Sequence, residues 1–101
     1  MLNIMKHPEG ERLCVCLEGR LDTATAPELE RQLKESLPGV TELVLDLEKL
    51  EYLSSAGLRV LLTTQKTMSR QGQMTLLHVN ALIMEIFEMT GFTEILTIRA
   101  S

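Results

Sequence analysis

Two adjacent hydroxyls, Ser54 and Ser55, are the residues of this chain best placed to do chemistry. They fall between an apolar run, Leu43-Val44-Leu45-Asp46-Leu47, and a second apolar series in which Leu58, Leu61 and Leu62, followed by Gln65, recur at helical spacing. The first run is short, branched and nearly continuous, the pattern of a central strand covered on both faces. The second, with Arg59, Lys66 and Arg70 elsewhere around the wheel, predicts an amphipathic helix from Ala56 to about Gln71, closed by Gly72. The serines therefore stand at the start of a helix. Backbone N–H groups there lack internal partners and carry the positive end of the helix dipole, so the position accepts a capping hydroxyl or a phosphate. Capping alone would make either serine a structural residue worth about 1 kcal/mol.

Other chemistry finds fewer residues. No Gly-rich phosphate loop occurs, and Gly19, Gly57, Gly72 and Gly91 read as turns or helix ends. His78 lies in or beside an apolar strand and would serve Ser55 as a base only if the fold carried it there. Asp22, Asp46, Glu48 and Glu51 could gather near the serines at the strand ends, although charged residues at sheet ends are commonly just solvated. His7 and His78 stand alone, and Cys14 and Cys16 form a Cys-x-Cys without a second ligand pair, so no metal site is expected. The two cysteines share one face of an extended strand, too far apart to bridge easily, and read as buried structural thiols. The chain does not read as an enzyme, and nothing in it asks for a cofactor.

The elements that position the serines follow from the rest of the pattern. With 101 residues the chain is expected to form a single domain spanning 1–101, and 45% hydrophobic residues without Trp predict one aliphatic core. A net charge of −4 and scattered basic residues argue against direct nucleic-acid binding. No apolar stretch approaches the ~20 residues of a bilayer span, and the N-terminus lacks a signal-peptide layout, so a soluble cytoplasmic protein without membrane insertion is expected. Leu2 to Lys6 and Glu11 to Glu18 read as strands joined through Pro8-Glu9-Gly10. Gly19-Arg20-Leu21-Asp22-Thr23 then leaves the sheet. Asp22, Thr23 or Thr25 caps a helix with Pro27 in its first turn and Leu29, Leu33 and Leu37 as its buried stripe, ended by Pro38-Gly39. After the serine helix come a strand from Gln73 to Val79 and a helix capped by Asn80, with Leu82, Ile83, Ile86 and Phe87 inward. Gly91 closes that helix, and Glu94 to Ile98 reads as a last strand. The order ββαβαβαβ predicts an α/β fold with a mixed, mainly parallel sheet of about five strands, right-handed crossovers and one antiparallel edge.

With these elements in place the chain resembles a STAS domain of the anti-sigma-factor antagonist type. The resemblance is carried by Gly19-Arg20-Leu21-Asp22, by Leu43-Val44-Leu45-Asp46-Leu47, by Tyr52-Leu53-Ser54-Ser55-Ala56-Gly57-Leu58-Arg59-Val60-Leu61-Leu62 and by Met89-Thr90-Gly91-Phe92, and it covers essentially the whole chain. It implies a STAS-like sheet and a partner switch. In such a switch, an antagonist binds a serine-kinase anti-sigma factor while unphosphorylated, is phosphorylated by it, and is restored by a serine phosphatase. The family's acceptor lies in an Asp-Ser-Ser/Thr-Gly-Leu motif. Anchored on Gly57-Leu58, the acceptor falls on Ser55, the Asp on Ser54 and the following hydroxyl on Ala56, with Ser54 the second choice for modification.

The implied docking face comprises Arg20, Asp22, Thr23, Ser54, Gly57, Leu58 and Arg59. Gly57 is either the point of the partner's approach or a site of tight helix-to-sheet packing. The extra C-terminal helix that many members carry is not expected in the three residues after Ile98. A patch around Met84, Met89 and Phe92 is therefore expected to pack in the monomer core or, failing that, to pair two copies in a weak homodimer. The alternatives are a constitutive STAS scaffold subunit of a transporter complex, or a small-molecule or nucleotide-binding regulatory module using the same helix start.

Overall fold

Strict alternation of apolar residues sets the sheet. In the computed structural model, which describes residues 1–99, Leu13, Val15 and Leu17 point to one side of strand β2 (Arg12–Leu21) and are buried, while Cys14 and Cys16 on the other side are half-buried. Strand β1 (Leu2–Glu9) pairs with it antiparallel, Ile4 opposite Leu17 and Met5 opposite Cys16. The hairpin turn begins two residues later than the sequence suggests, at Gly10, because Pro8 and Glu9 still belong to the ladder. β3 (Glu42–Leu53) and β4 (Gln73–Leu77) follow in parallel, giving one four-stranded sheet in the order β1-β2-β3-β4.

β3 is the long element of the domain, and its apolar residues change phase. Leu43, Leu45 and Leu47 alternate, whereas Leu50 and Leu53 follow at steps of three, yet all five are buried. The change is taken up by two irregularities. Cys16 pairs with Asp46 but Glu18 with Lys49, and Gly19 pairs with Leu50 but Arg20 with Tyr52, so β3 gains one residue over β2 at each shift. Such bulges bend and twist a strand while keeping its apolar side inward. β2 correspondingly stays in the sheet to Leu21 instead of leaving at Gly19.

The helices α1 (Ala26–Ser36), α2 (Ser55–Gln71) and α3 (Ala81–Thr90) bury Leu29 and Leu33, Leu58, Leu61 and Met68, and Ile83 and Phe87 in the same cluster as the inward strand residues. Leu82, expected inward, is 54% exposed, since the stripe of α3 is only two residues wide. α2 ends at Gly72 in extended conformation, where any Cβ would run into the carbonyl of Thr41. Asn80 caps α3 by accepting from Ile83 N (2.9 Å), while its Nδ2 donates to Leu50 O of β3 (2.9 Å).

Two expectations fail. The central strand is not covered on both faces: Val44 and Asp46 lie with Met5, Cys14, Cys16, Thr75 and Leu77 on a face that, among the described residues, no helix packs against. Val44 is nonetheless buried there, between its register partners Cys14 and Thr75. The last strand, expected at Glu94 to Ile98, is absent. A 3-10 turn at Phe92–Glu94 follows Gly91, Leu96 N bonds back to Phe92 O (2.8 Å), and only a single bridge between Leu76 and Ile98 reaches β4.

Candidate functional site

The second bulge of β3 brings Leu53 into the core and delivers Ser54 just past the strand's C-terminal end, where its N–H donates to Leu21 O (2.9 Å). Ser54 is extended, with φ −93° and ψ 175°, and occupies the N-cap of α2. Its hydroxyl accepts from Gly57 N (3.3 Å) and its carbonyl from Leu58 N (2.9 Å). Ser54 thus fills with a hydroxyl the capping role open to the family's Asp. Ser55 is the first residue of the helix, exposed, and its hydroxyl has no hydrogen-bond partner among the described residues. The first turn of α2 holds no acidic residue, and Arg59 is exposed one turn on, at the i, i+4 spacing that lets side chains meet.

Beside this helix start stands the end of β2. The Arg20 guanidinium lies over the Tyr52 ring, 4.2 Å from its centroid, and its Nε is 3.8 Å from Asp22 Oδ2. Asp22 Oδ1 accepts from Ala24 N (3.0 Å) and Thr25 N (3.1 Å), and the Thr25 N–H foremost holds the carboxyl below the usual carboxylate range. Asp22 therefore closes the turn before α1. Thr25, at the N-cap position, turns its hydroxyl back to donate to Arg20 O (2.8 Å) rather than capping the helix. Thr23 is exposed at the tip of that turn. Between the starts of α1 and α2 lies a groove of about 230 Å³ lined by Thr23, Ala26, Pro27, Glu30, Ala56 and Arg59, among others.

Five of the seven residues expected on the docking face, Arg20, Asp22, Thr23, Ser54 and Arg59, sit on accessible surface around this groove and helix start. Gly57 and Leu58 do not. Both are buried, and a Cβ on Gly57 would stand 2.7 Å from Leu21 Cγ and Leu53 Cδ1, so close packing of α2 on the sheet accounts for the glycine. Asp46 and Glu48 are not gathered at the serines either. Asp46 lies eight residues before Ser54 on an extended strand, and its Oδ1 is 3.0 Å from His78 Nδ1, an ion pair that holds the imidazole above its usual range and leaves His78 no role as a base for Ser55. Tyr52 is a site residue without a sequence signal, because its stacking under Arg20 depends on the bulged register of β2 and β3, which no local pattern reveals.

Comparison with known proteins places this geometry in context. A candidate anti-sigma factor antagonist from Bordetella bronchiseptica, BtrV, is 38% identical over 91 residues, covering 88% of this chain and 78% of the relative. The crystal structure of an anti-sigma factor antagonist from Mycobacterium paratuberculosis superposes with a TM-score of 0.90 at 20% identity, over 100% of this chain and 87% of that one. The anti-sigma factor antagonist SpoIIAA, from Bacillus, matches in its unphosphorylated form with a TM-score of 0.83 and in its phosphorylated form with 0.76. Both are at 16% identity, over 98% of this chain and 90% and 93% of those chains. The family model described as the STAS domain matches residues 3–101, from the first strand through the bridge after α3. Fold, helix start and family model agree, and the chain is a member of the STAS domain family.

Proposed function

We propose that this protein is an anti-sigma factor antagonist controlled by phosphorylation of Ser55, binding a serine-kinase anti-sigma factor while unmodified and released when modified. One observation supports this reading above the others: the two serines have divided labour, Ser54 spending its hydroxyl on the cap and Ser55 presenting a free one at the first helical position. BtrV, SpoIIAA and the mycobacterial structure carry antagonist names, and SpoIIAA is known in phosphorylated and unphosphorylated forms.

A phosphoryl group adds about −1.5 to −2 charge. On Ser55 it would meet the unpaired N–H groups and dipole of α2, favourable by about 0.3–1 kcal/mol, with Arg59 one turn away and no acidic residue in the first turn. The domain itself therefore tolerates the charge. A close-packed partner covering the groove, Arg20, Asp22 and Thr23 would have to desolvate it, at a cost of several kcal/mol. The antagonist acts as a ligand whose affinity the kinase itself removes, and a serine phosphatase restores it. No catalytic step is assigned to this chain.

The test uses the purified protein with its kinase and ATP. Phosphopeptide mapping is expected to find modification on Ser55 and none in Ser55→Ala. Titration is expected to show Ser55→Ala binding like the wild type and Ser55→Asp at least about tenfold more weakly, a difference of about 1.4 kcal/mol. Modification confined to another residue would reassign the acceptor, and equal binding of both variants would replace the switch with a constitutive scaffold.

A further inference from the structure

On the helix-free face of the sheet, away from the serines, we propose that Asp46, Glu48 and His78 form a binding site for one divalent transition-metal ion, zinc best matching the donors. A carboxylate oxygen from each acid and an imidazole nitrogen lie within 4.8 Å of one another. They come from two neighbouring strands: Asp46 and Glu48 from β3 where its first bulge begins, and His78 from the residue after β4, whose Leu77 pairs with Asp46. His78 has φ +57°, in the left-handed region, and its ring turns back to Asp46. Tetrahedral zinc with bonds of about 2.1 Å holds its ligand atoms roughly 3.4 Å apart. The three donors therefore need only side-chain adjustments on the order of an ångström.

The surroundings supply a second, independent feature. Asp46 and Glu48 line a cavity of about 200 Å³ together with Cys16, the register partner of Asp46, and Met5, the register partner of Cys16. The imidazole of His78 is a nitrogen donor that suits zinc and related transition ions over magnesium and calcium, whose sites are built of oxygens, and the Cys16 thiol and Met5 thioether add soft atoms to the cavity that the two carboxylates share. The nearest cation in the cavity wall is Lys49, opposed by Glu18, Asp46 and Glu48, so the lining carries net negative charge. Eight residues of extended strand, on the order of 25 Å, separate Asp46 from Ser54, so ion binding is independent of modification at the helix start.

The test titrates metal-free protein with zinc chloride in a non-chelating buffer by calorimetry, alongside thermal unfolding. One ion per chain and a higher Tm with zinc are expected for the wild type. His78→Gln and Glu48→Gln, both at exposed positions and therefore expected to fold, should each weaken binding by at least about tenfold and lose the Tm rise. His7→Gln, which removes the other imidazole, should bind like the wild type. Absence of binding at a hundredfold molar excess of zinc would overturn the proposal. So would affinity that survives His78→Gln but disappears in the double variant Cys14→Ser/Cys16→Ser, since that would assign the ion to the thiols alone.

Discussion

Ser54 and Ser55 are chemically the same side chain, and one residue of helix position separates what they can do. Ser54 accepts from Gly57 N, so Ser54→Ala should cost about 1 kcal/mol in urea unfolding. Ser55→Ala removes an exposed hydroxyl without a partner and should stay within about 0.5 kcal/mol of the wild type. That a hydroxyl pair opened a helix was legible from spacing. Which hydroxyl was spent on the cap was not, because it depends on where β3 stops, and that is decided by a bulge paired against a strand thirty residues upstream. Glu28 gives a second test at this scale. Hydrogen bonds from Arg31, and then from Gln32, lower its carboxyl from 4.5 to about 2. Stability from this ionised group is complete above pH 4.5 and lost as pH falls through about 2, so Glu28→Gln should lose less Tm than the wild type across that interval.

At the scale of elements, β3 and α2 meet at a surface with no space to spare. Gly57 faces Leu21 and Leu53 at 2.7 Å from any added Cβ, so Gly57→Leu should destabilise the domain by about 3 kcal/mol, read from the midpoint of chemical denaturation. The α1 stripe and the α3 cap were visible in the sequence because helix periodicity and N-caps are local signals. β3 is legible in the sequence only to Leu47. Leu47, Leu50 and Leu53 at steps of three look helical, and only pairing with β2 shows that two inserted residues rephase a strand. The final strand failed for the opposite reason. Its residues are apolar enough, but the 3-10 turn after Gly91 consumes the length needed to run beside β4.

Across the whole molecule the sheet is one-sided. The apolar run of β3 suggested two covering layers, whereas Val44, between Cys14 and Thr75, and Asp46 lie on the face without a helix. The helices gather on the other side, with the start of α2 and the turn before α1 at the ends of β2 and β3, which is why the expected docking residues from distant parts of the sequence fall together. No helix among the described residues is long and apolar enough to cross a membrane. The patch foreseen around Met84, Met89 and Phe92 divides: Met89 is 78% exposed, while Met84 and Phe92 are half-buried.

Asn80 sits where two kinds of order meet. Its oxygen starts α3 and its nitrogen fastens β3 at Leu50, beyond the point where β4 has ended. A single amide thus links the timing of two opening events: when Asn80 lets go, the helix loses its first turn and the strand loses an edge partner at once. Amide hydrogen exchange should show residues 81–90 and the end of β3 opening together in the wild type. Asn80→Asp, which keeps the acceptor and discards the donor, should leave α3 protected while the end of β3 exchanges faster. Asn80→Ala should speed both, at about 1–2 kcal/mol of stability. A small fold with one core would then carry a built-in order of unfastening, beginning at the end of β3 that leads into Ser54 and Ser55.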